Sequence, residues 1–282
     1  MARFGGRTER VERRTIDGIT LEYEDSGAGE PVVFIHGALI ADAFRPLLSE
    51  GGLADRYRLI SYHRRGYGGS SRTRGPLSLA EQSGDCRRLL SHLGVRRTHV
   101  VGHSLGGAIG LQLALDAPRL VNTLSVLEVA LMVGESAPLY REGLVRGMQR
   151  YREAGGRVAV DEFLRVRLPA YRENLERALP GAFEQAVADA ATCFEAELPV
   201  VLDWRFGEAE ARRITQPVLV VLGERSVALH PRFAETHRSL LDWLPSAEGV
   251  VVPDATHFLQ LENPGAIAEA LTGFFARHPP AG

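Results

Sequence analysis

The chain has 282 residues, 45% of them hydrophobic, which is enough to bury a large core in one domain or in one domain with an insertion. Its formal net charge of -2 and its pI near 6.5 give no electrostatic basis for binding nucleic acid or an anionic membrane. All 33 basic residues are arginine, which excludes Schiff-base chemistry on a lysine. We therefore expect a small-molecule partner, and a homodimer is one compatible assembly.

The N-terminal segment is rich in arginine but carries no targeting pattern. Its basic residues are Arg3, Arg7, Arg10, Arg13 and Arg14, and no apolar stretch of the signal-peptide kind follows them. No run approaches the ~18 apolar residues of a membrane span. We expect a cytoplasmic protein whose N-terminus is frayed or forms an edge strand. Cys86 and Cys193 lie in separate helical patterns, which favours two buried thiols over a disulfide or a metal pair.

The first quarter of the chain predicts strands and turns. Residues 11–17 and 19–24 alternate apolar and polar side chains around Asp17-Gly18, which is a hairpin signal. Residues 32–35 form a continuous apolar run, typical of a central parallel strand, and end in His36-Gly37-Ala38. Residues 57–62 predict the next strand, and a glycine-rich support loop follows it.

A helix and then a sharp turn come next. Residues 77–93 predict an amphipathic helix that begins with a capping box formed by Ser78 and Glu81. The β-branched run from residue 98 ends in Gly-x-Ser-x-Gly at 102–106 and passes directly into an apolar helical pattern. A serine at such a strand-turn-helix junction is strained, and its Oγ is exposed above the sheet. Ser104 is therefore the candidate nucleophile, and the Leu105 N–H at the helix N-terminus is placed to bind an oxyanion.

The second half predicts an insertion between two strands. Residues 123–129 form a buried strand pattern with Glu128 at its end. Helical patterns then cover 139–155, 160–166 and 175–188, with the aromatic residues Tyr140, Tyr151, Tyr171 and Trp204 in this region. Strand patterns resume at 218–222 and 249–252. The last strand leads to His257, and residues 264–277 predict a closing helix.

Three motifs in this order resemble the α/β-hydrolase fold family over nearly the whole chain: His36-Gly37-Ala38, the serine turn at 102–106, and Asp254-Ala255-Thr256-His257. The resemblance implies a mostly parallel eight-stranded sheet flanked by helices. Its core would comprise residues 1–133 and 214–282, and residues 134–213 would form a helical cap over the serine. It also implies that His257 is the base, and that Ala38, or alternatively Gly37, supplies the second oxyanion N–H.

The usual acid of the family is missing. Most members have Asp three residues after the glycine that ends the seventh strand, and here that position is Ser226. Glu128 follows the neighbouring strand, ~4.8 Å away, and is one methylene longer than aspartate, so it can reach the same imidazole. Hydrolases of mycotoxin lactones are similar in this respect. Glu224 and Asp254 are the reserve acids, and pairing of Glu128 with a cap arginine is the structural alternative. Replacing Ser226 with Asp is expected to change little.

Together these features predict a serine hydrolase that uses no cofactor and no metal and cleaves an ester or lactone through an acyl-enzyme. We expect a substrate of moderate size, largely apolar, with contacts to His103, Leu131 and Trp204. The alternatives within the fold are hydrolysis of carbon-carbon bonds and perhydrolase or haloperoxidase activity. A ligand-binding protein without catalysis is the alternative from another class.

Overall fold

A computed structural model of the protein describes residues 11–280. Eight strands form one sheet in the order β1-β2-β4-β3-β5-β6-β7-β8. They are β1 Glu12–Ile16, β2 Ile19–Gly27, β3 Glu30–Ile35, β4 Tyr57–His63, β5 Thr98–His103, β6 Val121–Leu127, β7 Val218–Gly223 and β8 Ala247–Val252. The pairs β1-β2 and β2-β4 are antiparallel and the other five are parallel. The mostly parallel eight-stranded sheet predicted from the sequence is confirmed.

The helices cover both faces of this sheet and fill the interval between β6 and β7. In chain order they are α1 Arg45–Leu48, α2 Gly51–Ala54, α3 Leu79–His92, α4 Leu105–Asp116, α5 Ala137–Ala154, α6 Gly156–Arg165, α7 Tyr171–Ala178, α8 Ala182–Ala188, a π-helix at Thr192–Glu197, α9 Leu198–Asp203, α10 Glu208–Ala211, α11 Ser226–Leu229, α12 Arg232–Trp243, α13 Leu259–Glu262 and α14 Pro264–Arg277. Those from α5 to α10 lie in the predicted cap region, whose bounds at 134–213 stay a prediction.

The core has two halves, one on each side of the sheet. Successive residues of β3 alternate between them: Val33 and Ile35 belong to the cluster that includes α3 and α4, whereas Val32 and Phe34 belong to the cluster that includes α14. Because both faces of the central strands are buried, these strands read as continuous apolar runs. That burial holds the carboxyl ends of β5, β6 and β7, where the candidate residues lie, in fixed register.

The N-terminal hairpin forms as predicted. Asp17 and Gly18 both have positive φ, 50° and 80°, which the tight turn between β1 and β2 requires. β1 lies at the edge of the sheet. The expectation of a frayed or edge-strand terminus also covers residues 1–10, which lie outside the described residues.

One helix prediction was wrong. The apolar pattern at 175–188 predicts a single helix, but α7 ends at Ala178 and α8 begins at Ala182. Pro180 cannot donate the helical hydrogen bond, and Gly181 adopts φ 81°, so the chain turns between α7 and α8. Within residues 11–280, no helix is both long and apolar enough to cross a membrane. Cys86 and Cys193 are both free and buried.

Candidate active site

Ser104 sits at the sharp turn between β5 and α4. Its φ of 53° and ψ of -115° are in a region that side-chain-bearing residues rarely adopt, so the turn stores backbone strain. The strain is held by close packing, because a Cβ at Gly106 would clash with the carbonyl oxygen of Ile35 on β3. Ser104 remains partly accessible although its neighbours on both sides are buried. The strand, turn and helix thus present one hydroxyl above the sheet.

A hydrogen-bonded series joins Ser104 to a histidine and a carboxylate. The Oγ atom of Ser104 lies 3.1 Å from Nε2 of His257. The Nδ1 atom of the same imidazole lies 2.8 Å from Oε2 of Glu128. His257 comes from the loop after β8, and Glu128 directly follows β6 with a φ of 46°. The fold therefore brings together three side chains that are far apart in the sequence.

The other oxygen of Glu128 is held by the main chain. The Gly223 N–H, at the end of β7, donates to Oε1 of Glu128 at 2.8 Å. This bond fixes the carboxylate so that Oε2 faces the imidazole. Burial raises the pKa of Glu128, while the Gly223 N–H and the charge of Arg232 act in the opposite direction. The Ser226 hydroxyl also lies near enough to favour the ionised form, although it makes no regular hydrogen bond.

The electrostatic surroundings keep His257 available as a base. Burial lowers its pKa well below the ordinary value, and the positive charges of Arg232 and Arg167 lower it further. The imidazole is therefore neutral at pH 7, as a group that accepts a proton from serine must be. The Glu128 carboxylate stabilises the charge that the ring gains when it takes that proton.

The predicted reserve acids lie elsewhere. Glu224 is exposed and accepts a hydrogen bond from the Asp254 N–H at 2.9 Å. The Asp254 side chain is also exposed and pairs with Arg225. Neither carboxylate is hydrogen-bonded to His257, whereas Glu128 is. The geometry thus brings the β6 carboxylate, rather than either reserve acid, to the imidazole.

The loop after β3 faces the serine turn. Gly37 is so close to the turn that a Cβ there would lie 2.9 Å from Nδ1 of His103 and 3.2 Å from Cβ of Ser104. Ala38 follows it, and Leu105 begins α4. The next amide along, that of Leu39, already donates to the Tyr67 hydroxyl at 3.4 Å. The predicted oxyanion donors therefore stay the amides of Leu105 and Ala38, with that of Gly37 as the alternative.

A buried arginine anchors this loop, and the sequence reasoning missed it. Arg64 donates to the carbonyl oxygens of His36 at 3.0 Å and Gly37 at 2.8 Å, and it pairs with Glu197 of the π-helix. Tyr67 donates to the same carboxylate at 2.6 Å. The backbone N–H of Arg64 donates to Nε2 of His36, so His36 has a structural role in the loop. Arg64 thus links the loop to the helical region between β6 and β7.

Two of the three predicted substrate contacts, His103 and Leu131, are buried, and the third, Trp204, is partly exposed. His103 is buried, its Nε2 donates to the carbonyl oxygen of His257 at 2.7 Å, and burial lowers its pKa to about 3. Leu131 is buried in the main core. The Trp204 indole N–H donates to Gln112 on α4 at 3.0 Å, and its ring stacks on Phe206. These contacts give each of the three side chains a role in packing, and their contact with substrate stays a prediction.

A cavity of about 660 Å³ opens between α5, α6 and the start of α12. Ser104 is not among its lining residues, but Phe233 lines it and has its ring centre 5.1 Å from that of His257. Arg232, Arg167 and Tyr140 also line it. Of these residues, the sequence reasoning had named only Tyr140, since no pattern distinguishes an inward-facing arginine from the others. Within the described part of the chain, no cluster of three or more His, Cys, Asp or Glu could hold a metal ion.

Comparison with known proteins identifies the family. The family described as "alpha/beta hydrolase fold" matches residues 30–264, which is most of the chain. The chain belongs to the α/β-hydrolase fold family. Among the similar proteins, a 2-(acetamidomethylene)succinate hydrolase of Mesorhizobium japonicum is 28% identical, with 94% of this chain and 95% of the relative covered.

Two further similarities differ in extent. The dihydrolipoyllysine-residue acetyltransferase component of the acetoin cleaving system of Cupriavidus necator is 38% identical over 141 residues. That match covers 48% of this chain and only 36% of the relative, so the chain spans about a third of that protein. A solved structure, described as Est816, an N-acyl homoserine lactone degrading enzyme, is 26% identical, with a TM-score of 0.70, and covers 93% of this chain and 100% of its own.

Proposed function

We propose that this α/β-hydrolase is a serine hydrolase that cleaves a carboxylic ester or lactone through an acyl-enzyme and needs no cofactor. The observation that carries the proposal is the hydrogen-bonded series from Ser104 through His257 to Glu128. Hydrolases and a lactone-degrading enzyme among the similar proteins support the same reaction class. The presence of a carboxylate on the imidazole argues against a binding protein that has lost its triad.

The first half of the reaction uses each of these groups. The Oγ atom of Ser104 attacks the carbonyl carbon while its proton passes to Nε2 of His257. The carbonyl oxygen becomes an oxyanion between the N–H groups of Leu105 and Ala38. When the tetrahedral intermediate collapses, the ester C–O bond breaks and His257 returns the proton to the departing alkoxide. The acyl group then remains on Ser104 as an ester.

Water completes the cycle by the same steps in the second half. Nε2 of His257 takes a proton from a water molecule, whose oxygen attacks the acyl carbon. The C–O bond to Ser104 breaks, and the serine oxygen regains the proton. Throughout, Glu128 keeps the Nδ1–H tautomer of His257, which leaves Nε2 free to accept. A lactone follows the same route, except that both products stay in one molecule.

Labelling with a fluorophosphonate tests the nucleophile. We expect covalent modification of Ser104 between pH 6 and 9, located by mass spectrometry of the modified peptide, and no modification of Ser104→Ala. Ser136→Ala is the matched control, because Ser136 bonds to Glu235 and lies outside the triad. Absence of labelling at every pH would favour the binding protein.

A substrate panel tests the reaction class. We expect hydrolysis of nitrophenyl esters and of simple lactones, with a burst of nitrophenol if deacylation is slow. Cleavage of 1,3-diketones without cleavage of esters would point to the carbon-carbon bond hydrolase. Bromination dependent on hydrogen peroxide and a carboxylic acid, again without ester hydrolysis, would point to the perhydrolase.

A further inference from the structure

A buried arginine in the cavity has no ion-pair partner among the described residues. Arg232 is 3% exposed, and its Nη1 atom has no hydrogen-bond partner in the structure. Its guanidinium carbon lies 4.1 Å from the ring centre of Tyr140 and 3.9 Å from that of Phe233. Within residues 11–280, Arg232 forms no ion pair, although a buried guanidinium is normally paired with a carboxylate. The charge of Arg232 is therefore offset only in part, by the field of Glu128, whose two oxygens are already bonded to Gly223 and His257.

A second arginine, Arg167, lines the same cavity and is half-buried. Arg167 donates to the carbonyl oxygen of Phe163 at 2.8 Å and stacks on the Phe163 ring, and it too forms no ion pair within the described residues. Burial and the charge of Arg232 together lower the pKa of Arg167 to about 10. The two cations thus repel each other across a shared space. An anion that contacts both guanidinium groups would relieve this repulsion.

The other two arginines of the cavity provide a contrast. Arg146 pairs with Glu142 and Arg150 pairs with Glu162, and all four side chains are exposed at the rim. The rim is therefore electrically balanced, whereas the inner end of the cavity, beside Phe233 and His257, is cationic. A site that binds only apolar groups would gain nothing from this arrangement.

We propose that Arg232 and Arg167 form a carboxylate-binding subsite, and that the substrate is a small ester or lactone that carries a free carboxylate. The substrate class rests on the proposed serine hydrolase function, whereas anion binding at the two arginines does not. A guanidinium presents a planar fork that matches the two oxygens of a carboxylate. The aromatic walls formed by Tyr140, Phe163 and Phe233 suit a short carbon chain. The subsite replaces the earlier expectation of a substrate with little charge.

Matched esters test the subsite through turnover. We compare 4-nitrophenyl hydrogen adipate with its neutral methyl ester, which differs only in the masked carboxylate. The wild-type enzyme is expected to have a higher kcat/KM for the anionic ester. In Arg232→Met the ratio of the two kcat/KM values falls about tenfold to a hundredfold, the range for a lost hydrogen bond to a charged group, mainly through KM. Arg232→Lys, which keeps the charge without the fork, retains part of the preference.

The matched control is Arg146→Met, which removes an arginine of the same cavity that is exposed and already paired. Its ratio should stay within about twofold of wild type, because screened surface charges contribute little. Equal ratios in wild type and Arg232→Met would overturn the subsite. A fall as large in Arg146→Met would also overturn it, since the effect would then be general electrostatics.

Calorimetry with adipate separates the subsite from the reaction. We titrate adipate into Ser104→Ala and into Ser104→Ala/Arg232→Met, and expect binding at least tenfold weaker in the second protein. If adipate binds in this way but no ester is cleaved, the proposed function fails and the subsite stands. If esters are cleaved but adipate binding does not depend on Arg232, the subsite fails alone. Inorganic phosphate is the comparison anion, and tighter binding of phosphate than of adipate would refute the carboxylate assignment.

Melting temperatures distinguish an arginine that binds a ligand from one that stabilises the fold. Because Arg232 is buried without a partner, Arg232→Met should leave the apo protein at least as stable as wild type, with the methionine chain packed on Tyr140 and Phe233. A lower melting temperature in Arg232→Met would mean that the arginine is there for the fold, and would count against the subsite. Adipate should raise the melting temperature of wild type but not that of the variant.

Discussion

Glu128→Gln tests the acid of the triad with almost no change of shape. The Gly223 N–H donates to Oε1 of Glu128, and in the variant that atom must be the amide oxygen, since an NH₂ group cannot accept. The NH₂ group then faces Nδ1 of His257, 2.8 Å away, and holds the ring in the tautomer with a proton on Nε2. That atom can no longer accept the proton of Ser104. We expect kcat to fall about 10³- to 10⁴-fold, or about 4 to 5.5 kcal/mol.

Steady-state hydrolysis of a nitrophenyl ester measures this loss. The variant should keep its fold, because the Gly223 bond survives and one buried charge is removed, so the melting temperature should change by no more than a few degrees. Glu224→Gln is the matched control and should have wild-type kcat, since Glu224 is exposed and bonds to Asp254. The reasoning is refuted if Glu128→Gln stays within about tenfold of wild type while Glu224→Gln loses activity.

Two more predictions concern buried charges, and each compares a single with a double variant. The structure reverses the expectation from the sequence that Ser226→Asp would change little. Ser226 is buried beside Glu128, so the second carboxylate should lower kcat at least about tenfold. Glu128→Ala/Ser226→Asp should recover at least about tenfold over Glu128→Ala in the same ester assay, and wild-type turnover in Ser226→Asp would contradict the reasoning. Arg64→Met leaves Glu197 buried without its cation and should cost about 3–5 kcal/mol in urea unfolding. Arg64→Met/Glu197→Gln should regain part of the lost free energy of unfolding. A double variant less stable than Arg64→Met would contradict this prediction.

Much of the fold could be read from the sequence because the strands are buried on both faces. Residues 32–35 and 218–222 are apolar without interruption, and such runs between turn signals have few alternatives. The last helix was predicted with its observed bounds, since Asn263 caps the first turn of α14. The break at Pro180 was also visible in the sequence, but the apolar spacing continues across it and concealed the turn.

Some residues of the candidate site could be predicted from the sequence and others could not. Ser104 and His257 are marked by local motifs, and Glu128 follows from the position of a carboxylate at the end of a strand. Arg232 and Arg64 carry no such mark. A chain with 33 arginines does not reveal which of them point inward, because that depends on contacts between distant segments. The π-helix at Thr192–Glu197 could not be predicted either, because its role depends on the pairing of Glu197 with the distant Arg64.

The two unpaired arginines also connect substrate binding to the strength of the base. His257 is faced by Glu128, by the buried ring of His103 and by Arg232 and Arg167, whose positive charges lower its pKa. A carboxylate bound to these arginines would cancel much of their field, so the pKa of His257 should rise when an anionic substrate binds.

This coupling is our last prediction, and pH profiles measure it. For an imidazole that must be neutral, activity falls on the acid side of its pKa. The acid limb reports the free enzyme in kcat/KM and the enzyme-substrate complex in kcat. With 4-nitrophenyl hydrogen adipate, the acid limb of kcat should therefore lie at higher pH than that of kcat/KM, while the methyl ester should show a smaller separation. If both esters give the same separation, the arginine charges do not reach His257 through the bound carboxylate.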